Sequence, residues 1–297
     1  MNNSDYSGYR PLLHAIAYRM TGSVTDAEDI VQEALLRASR QAPENPKAYL
    51  TTVTTRLAID YLRSARVRRE SYVGTWLPEP LLADDGPGPA ERAEMADSLS
   101  MAFLVLLESL SPAERAVFLL REVFGYDYPE IADAIGKSEA NARQLFSRAR
   151  RRVDEGRPRF AASRREGDEL VSLFIDAVNG GDMTALVEKL APDVAFYGDS
   201  GGKGEAAVSP LFGRDKVMTF LKIIGSRAAE AGVLTRPARI NGQPGVVNTD
   251  LDGGLIAVVV LDVLDGKVQA IRSVVNPDKL RHLGSISHVW HPQQSSE

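Results

Sequence analysis

The chain of 297 residues contains no cysteine, so it can form no disulfide framework, no thiolate zinc site and no cysteine nucleophile. Histidine is scarce, four in all; His14 stands near the start and His282, His288 and His291 near the end, so no histidine-based catalytic or metal centre is expected. No apolar run reaches the roughly 20 residues of a membrane-spanning helix. Met1 to Arg10 is polar rather than basic and then apolar, so no secretory leader is expected and the reading is cytoplasmic, with no membrane partner. A positive net charge is missing too: 35 lysines and arginines stand against 40 aspartates and glutamates, −5 overall. Taken as a sum, that argues against a polyanionic partner.

What is present narrows the class. The length suggests roughly two domains of about 150 residues, and 44% hydrophobic with 25% charged residues is the composition of a soluble globular protein. The charge is unevenly distributed. Nine arginines fall between Arg143 and Arg165 against two acids, Asp154 and Glu155. Arg63, Arg66, Arg68 and Arg69 form a second cluster upstream. Screening confines each charge to about 8–10 Å, so local density decides attraction to phosphates.

Apolar residues recur at helical spacing from Tyr9 to about Arg69: Leu12, Leu13, Ile16, Ala17 and Met20, then Ile30, Val31, Ala34, Leu35 and Ala38, then Tyr49, Leu50, Val53, Leu57, Ile59 and Leu62. Asp26 stands where a helix N-cap is expected, and Pro43 and Pro46 part the second helix from the third. Prolines and glycines in "TWLPEPLLADDGPGP" break the period and read as a linker. A second helical block runs from Pro89 to about Val153, with Ser111 to Glu114 as a capping-box start. The expected domains are 5–70, a linker 71–95, 96–155, a basic hinge 156–166, a further domain 167–285 and a tail 286–297. The domain at 167–285 begins with helical texture and continues as strands, with Leu264-Asp265-Gly266 as a hairpin signal. It is read as α+β, a long curved antiparallel sheet with helices on one face.

"DYPEIADAIGKSEANARQLFSRARRRV" has the pattern of a helix–turn–helix. Tyr128 to Ile135 form the first helix, Gly136 the turn and Ser138 the N-cap of the second. Ala142, Leu145, Phe146, Ala149 and Val153 make one apolar stripe. The other face carries Ser138, Glu139, Asn141, Arg143, Gln144, Ser147, Arg148 and Arg151, groups that hydrogen-bond base edges and phosphates. A solvated basic helix face would hold the same residues, so both readings stay open. Arg56, Asp60, Arg63 and Arg66 share one face of the third helix. They offer a basic track for an unstacked strand, while Asp60 can equally form an ion pair within its own helix.

"TGSVTDAEDIVQEALLRA", "PKAYLTTVTTRLAIDYLRSARVRRE" and "LESLSPAERAVFLLREVFGYDYPEIADAIGKSEANARQLFSRARRR" together resemble the extracytoplasmic-function (ECF) RNA polymerase sigma factors. "WLPEP" at Trp76 to Pro80, "DSGGK" at Asp199 to Lys203 and "NPDKL" at Asn276 to Leu280 are similar to the sigma factor J-like subgroup, in which a SnoaL-like (NTF2-like) domain is fused to the C-terminus. The resemblance implies two all-α sigma domains followed by an α+β cone, and a promoter-specificity subunit regulated in cis. Its partners would be core RNA polymerase, through the beta-prime clamp and beta flap, and promoter DNA.

It assigns polymerase contact to Asp26, Glu28, Asp29, Gln32, Glu33 and Arg37, minus-10 recognition to Arg56, Asp60, Arg63, Arg66, Arg68 and Arg69, and minus-35 recognition to the helix–turn–helix face. It assigns interdomain regulation to Trp76, Leu77, Pro78, Glu79, Pro80, Asp199, Gly201, Gly202, Lys203, Asn276, Pro277, Asp278 and Lys279. The fused domain is expected to dock onto the sigma domains through these residues, with Asp199, Lys203, Asn276, Asp278 and Lys279 near the linker and the basic hinge. Two alternatives remain at this point: a ligand-responsive helix–turn–helix regulator, and an NTF2-like enzyme with Asp193, Asp199, Asp250 or Asp262 as general base. No acid and base pair stands out, a strand carboxylate is ordinarily solvated, and "GDSGGKGEA" lacks the spacing of a phosphate loop. No enzyme activity, cofactor or metal is therefore expected, and whether the cone takes a ligand is left open.

Overall fold

The computed structural model describes residues 3–70, 72–82, 99–156, 163–179, 183–203, 207 and 209–289; for 66–70 only the helical backbone is described. The expected minus-10 side chains Arg66, Arg68 and Arg69, hinge residues 157–162, linker residues 83–98 and the end of the tail lie outside the described residues. The chain forms two compact units. One comprises Met1–Ser71 with Phe103–Arg157, the other Tyr72–Ala102 with Pro158–Glu297.

In the first unit, α1 (Arg10–Thr21), α2 (Val24–Gln41) and α3 (Pro46–Glu70) pack around Leu13, Ile16, Val31, Leu35, Leu50 and Leu62. The expected N-cap Asp26 is corrected to Ser23. Its backbone is extended at φ −124° and its hydroxyl accepts from Asp26 N at 3.1 Å, the geometry that satisfies an orphan donor of the first turn. The Asp26 carboxylate instead accepts from the Tyr61 hydroxyl at 2.6 Å, joining α2 to α3. Next come α4 (Met101–Leu107), which enters this unit at Phe103, and α5 (Pro112–Phe118), which continues into a π turn, Leu119–Val123. They are followed by α6 (Tyr128–Ile135) and α7 (Glu139–Gly156). Gly136 makes the α6–α7 turn at φ 64°, a left-handed conformation that suits glycine. Buried Arg115 ties the two helical blocks together. It donates to the Leu107 carbonyl at 3.0 and 2.7 Å and to the Met20 carbonyl at 2.6 Å, and it pairs with Glu108 at 2.8 Å.

In the second unit, α8 (Arg164–Val178), α9 (Met183–Lys189) and α10 (Arg214–Glu230) accompany six strands: β1 (Leu190–Asp199), β2 (Leu211–Phe212), β3 (Leu234–Ile240), β4 (Gln243–Thr249), β5 (Leu255–Leu264) and β6 (Lys267–Val274). A short α11 (Pro277–Leu280) follows. The strand order is β2-β1-β6-β5-β4-β3. The expected all-antiparallel sheet is corrected to a mixed one, because β1 runs parallel to β6. Helix α10 and strands β2 to β5, which lie between β1 and β6, supply the long crossover that a parallel pair needs. Two tight hairpins shape the far side. Asp265 and Gly266 turn β5 into β6 at φ 51° and 68°, and Asn241 and Gly242 turn β3 into β4 at φ 52° and 76°, the positive values that Asn-Gly and Asp-Gly turns supply. Leu186, Val194, Val217, Leu221, Val246 and Ile271 lie in the core between helices and sheet.

Candidate nucleic-acid interface and linker clasp

Ala142, Leu145, Ala149 and Val153 are buried, and this fixes which side of α7 faces outward. Glu139, Arg143, Gln144, Ser147, Arg148 and Arg151 are exposed, and Asn141 is half-buried beside them. The Ser138 hydroxyl accepts from Asn141 N at 3.3 Å. Arg143 lies 4.1 Å over the Tyr128 ring and pairs with Glu139 at 3.4 Å, so it is held in place before any ligand arrives. Farther along, Arg148 and Arg152 reach Glu114 at 3.7 and 3.2 Å. Burial raises the Glu114 carboxyl, but the Ser111 hydroxyl and N–H, Arg152 and Arg148 more than offset this and leave it below its ordinary value. Arg151 has no ion-pair partner among the described residues and is open to solvent.

On α3, Arg56, Asp60 and Arg63 are exposed along one face. Asp60 pairs with Arg63 at 3.1 Å. Arg56 donates to the carbonyls of Ala134 and Asp133 at 3.1 and 2.6 Å, a cation placed on the negative end of α6. Thr51 and Tyr126 share a buried hydroxyl contact at 2.9 Å close by. The two expected reading helices are thus parts of one packed body, with the base of the α3 face engaged by the α6 terminus.

On α2, Asp29, Gln32 and Arg37 are exposed, while Glu28 and Glu33 are half-buried. Glu28 contacts Arg10 and accepts from Gln32 at 3.2 Å, and Glu33 pairs with Arg37 at 2.7 Å. Leu36, 42% exposed, stands on this same face. Sequence reading passed over it, although its position off the apolar stripe one residue after Leu35 was the available signal.

The residues expected to dock near the linker converge within the second unit. Asp199, at the end of β1, is fully buried and accepts from Lys279 Nζ at 2.6 Å, from Leu77 N at 2.7 Å and from the Tyr72 hydroxyl. Lys279 also donates to the Leu77 carbonyl, so one linker residue is gripped at both its N–H and its C=O. The ammonium lies 4.4 Å from the Trp76 ring and 5.0 Å from the Tyr72 ring. Asn276 caps α11 by accepting from Asp278 N at 3.0 Å and donates to the Tyr72 hydroxyl at 2.9 Å. Burial and the Asp199 carboxylate push the Tyr72 phenol far up, keeping it a donor. Lys203 pairs with Asp278 at the rim. Gly201, at φ 57°, leaves room for this arrangement; a Cβ there would meet Asn276 Nδ2 at 2.3 Å. Leu77, Pro78, Glu79 and Pro80 are buried, and the His282 ring contacts the Pro80 carbonyl at 2.8 Å.

Sequence reading did not find a second set of contacts. Asn241 accepts from Leu81 N at 2.9 Å and donates from its own N–H to the Leu81 carbonyl at 2.8 Å, and its side chain donates to the Leu99 carbonyl at 2.9 Å. Gln243 accepts from Met101 N at 2.9 Å and donates to Asp262 at 2.7 Å, and Asp262 accepts from Arg272 at 2.8 Å. Burial pushes the Asp262 carboxyl up against the opposing pull of Arg272. The expected solvation of strand carboxylates is therefore corrected for Asp199 and Asp262, both fully buried and bonded. Asp193 is exposed. Asp250 closes a turn through Gly254 N at 2.7 Å and Asp252 N at 3.0 Å, and the Ser287 hydroxyl with these N–H groups holds it below its usual range.

Residues 6–68 match the family model for sigma-70 region 2, and residues 100–153 match that for sigma-70, region 4. ECF RNA polymerase sigma factor SigJ of Mycobacterium tuberculosis is 40% identical over 292 residues, covering 94% of this chain and 93% of that one. Probable ECF RNA polymerase sigma factor SigI of the same organism is 35% identical over 286 residues, 93% of each chain. The crystal structure of Mycobacterium tuberculosis extracytoplasmic function sigma factor SigJ superposes with a TM-score of 0.75 at 37% identity, covering 94% of this chain and 98% of that one.

Proposed function

Because the chain belongs to the ECF RNA polymerase sigma factors, a family of transcription initiation factors that act with core RNA polymerase on promoter DNA, we propose that its second unit restrains promoter engagement by holding the linker at both ends. In this reading α2 meets the polymerase clamp through Asp29, Gln32, Glu33 and Arg37, with Leu36 added. The α3 face reads the minus-10 strand, and the outer face of α7 reads the minus-35 duplex.

Two promoter elements about 25 base pairs apart lie about 85 Å apart along B-DNA. A packed body of roughly 126 residues has a radius of gyration of about 14 Å, far too small to place α3 and α7 on both. The two blocks must part, and the linker between them sets how far. Residues 72–102, fully extended, span about 100 Å. The observation that carries the reading is that Leu81 and Leu99 both bond to Asn241. Everything between them is short-circuited and adds nothing to the reach, while the Asp199–Lys279 grip on Leu77 removes more. A tethered contact of this kind acts at millimolar effective concentration, so it holds without being individually strong.

The test is run-off transcription with purified core polymerase. Asn241→Gly preserves the left-handed turn and deletes both side-chain bonds, so it is expected to raise transcript yield several-fold over the parent. Unchanged or lower yield with that variant sinks the restraint reading, while dependence of every transcript on added protein tests the sigma activity separately.

A further inference from the structure

We propose that the cavity of the second unit is a binding site for a small, uncharged, largely apolar molecule that carries one hydrogen-bond donor. The cavity lies between the sheet and helices α8 and α10; its enclosed volume is about 70 Å³ and it opens through a mouth, so it holds a ring-sized body rather than filling the roughly 300–1,000 Å³ of a drug-sized ligand site. Phe174, Phe196 and Phe220 form its aromatic wall, with the Phe196 and Phe220 centroids 4.7 Å apart. Among the described residues, none that lines it is charged. An ionised ligand would therefore lose its hydration with no counter-charge to replace it.

Two lining residues are polar, Asn248 and Ser273. Asn248 Oδ1 is shielded from solvent, and no donor among the described residues reaches it. Asn248 lies two residues from the core residue Val246 on β4, on the same face of the strand, where an aliphatic side chain would be ordinary. A register shift sits between Asn248 and Thr249, the kind of bulge that re-aims a side chain. A buried amide oxygen without a donor is costly, and a ligand O–H or N–H directed at it recovers that cost. An apolar cleft with one unanswered acceptor thus defines the ligand class: a ring-sized hydrophobic body bearing a hydroxyl or amine.

The probe is 1-naphthol, titrated into the full-length protein by fluorescence beside naphthalene and 1-naphthoate. Saturable 1:1 binding of 1-naphthol is expected, with 1-naphthoate at least tenfold weaker. Asn248→Leu should weaken 1-naphthol at least tenfold and leave naphthalene unchanged or tighter. Ala228→Phe, on the partly exposed part of α10 that lines the cleft, should abolish binding of both while the thermal transition stays in place; it keeps the proposal testable should Asn248→Leu fail to fold. The proposal is overturned by absence of saturable 1-naphthol binding, by equal affinity for the parent and Asn248→Leu, by preference for 1-naphthoate, or by binding that survives Ala228→Phe.

Discussion

Asp199→Asn keeps the shape of a buried side chain and removes its charge. In the parent, Asp199 serves Lys279 at 2.6 Å, Leu77 N at 2.7 Å and the Tyr72 hydroxyl. An amide offers one acceptor oxygen and no charge: with that oxygen kept on Lys279 and Leu77 N, its NH2 faces the Tyr72 hydroxyl, which must turn from donor to acceptor, and Lys279 loses its counter-charge. The Lys279 side chain, 10% exposed, keeps the Leu77 carbonyl and two ring faces. Removing one member of a buried pair costs about 3–5 kcal/mol, and desolvated cation–π contacts return up to about 2 kcal/mol. A net loss of about 1–5 kcal/mol corresponds to roughly 5- to 4,500-fold in the equilibrium for local opening. Hydrogen exchange read by mass spectrometry reports this directly, since the Leu77 amide donates to the substituted group. Peptides within 72–82 should exchange faster by that factor while the β5–β6 hairpin keeps its protection. Asp199→Asn combined with Lys279→Met should recover part of the protection by removing the stranded cation. Unchanged exchange in 72–82, or equal loss across the hairpin, would refute the assignment of Asp199 to the linker and make it a support of the domain.

Arg115→Met removes the donor shared by the Leu107 and Met20 carbonyls and strands Glu108; a loss of about 2–4 kcal/mol is expected, read as a lower urea midpoint. Arg151 has no ion-pair partner among the described residues, so Arg151→Ala should leave stability within about 0.5 kcal/mol. Promoter affinity should then fall alike for all sequences, and the salt slope of binding should lessen by about one. Glu114 has a folded pKa below its ordinary 4.5. Its contribution is therefore full above the unfolded value and is lost as pH falls through the folded one. Acid unfolding should begin at higher pH in the parent than in Glu114→Gln once their neutral-pH stabilities are matched, checked by circular dichroism from pH 6 to 2.

The helices were legible because their signal is local. The apolar stripes of α1, α2 and α7 repeat every 3.6 residues, and Gly136 and the Ser111–Glu114 box sit where chain geometry requires them. Ser23 escaped notice because Ser-Val-Thr-Asp offers three capping side chains within four residues, and only backbone conformation chooses among them. The Asn241-Gly242 hairpin was visible as a dipeptide, yet only Asp265-Gly266 was taken as a hairpin signal. Pairing of β1 with β6 has no local trace, since the partners lie 75 residues apart at Ala195 and Ala270. A similar distance, 80 residues to Lys279, hid the burial of Asp199, whereas Asp262 meets Arg272 ten residues on across the β5–β6 hairpin, and strand texture alone does not say that its face is covered. A carboxylate on an alternating strand reads as solvated until topology brings Lys279 or Arg272 to it.

The physical meaning of "WLPEP" follows from the clasp. A buried ion pair holds no more tightly than apolar packing of the same volume, and its best-attested use is to fix register. Here Asp199 needs an N–H and Lys279 needs a C=O from the same linker residue, and Leu77 supplies both. A slip of the linker by one residue in the direction that brings up position 78 would present a proline, which has no N–H, and would leave the buried carboxylate short of a donor. A slip the other way withdraws the Trp76 ring from the Lys279 ammonium. The prolines at 78 and 80 therefore do more than break helix: they restrict the grip to one alignment. That alignment also brings Leu81 to Asn241, whose side chain reaches Leu99. Strands β1 and β6 carry Phe196 and Ser273 at the cavity wall, and Asp199 ends β1 while Asn276 follows β6. The Asp199 carbonyl accepts from Val275 N and Asn276 N at 2.8 and 3.0 Å. The wall of the cavity and the grip on the linker thus share strands β1 and β6, with Phe196 three residues before Asp199 on β1.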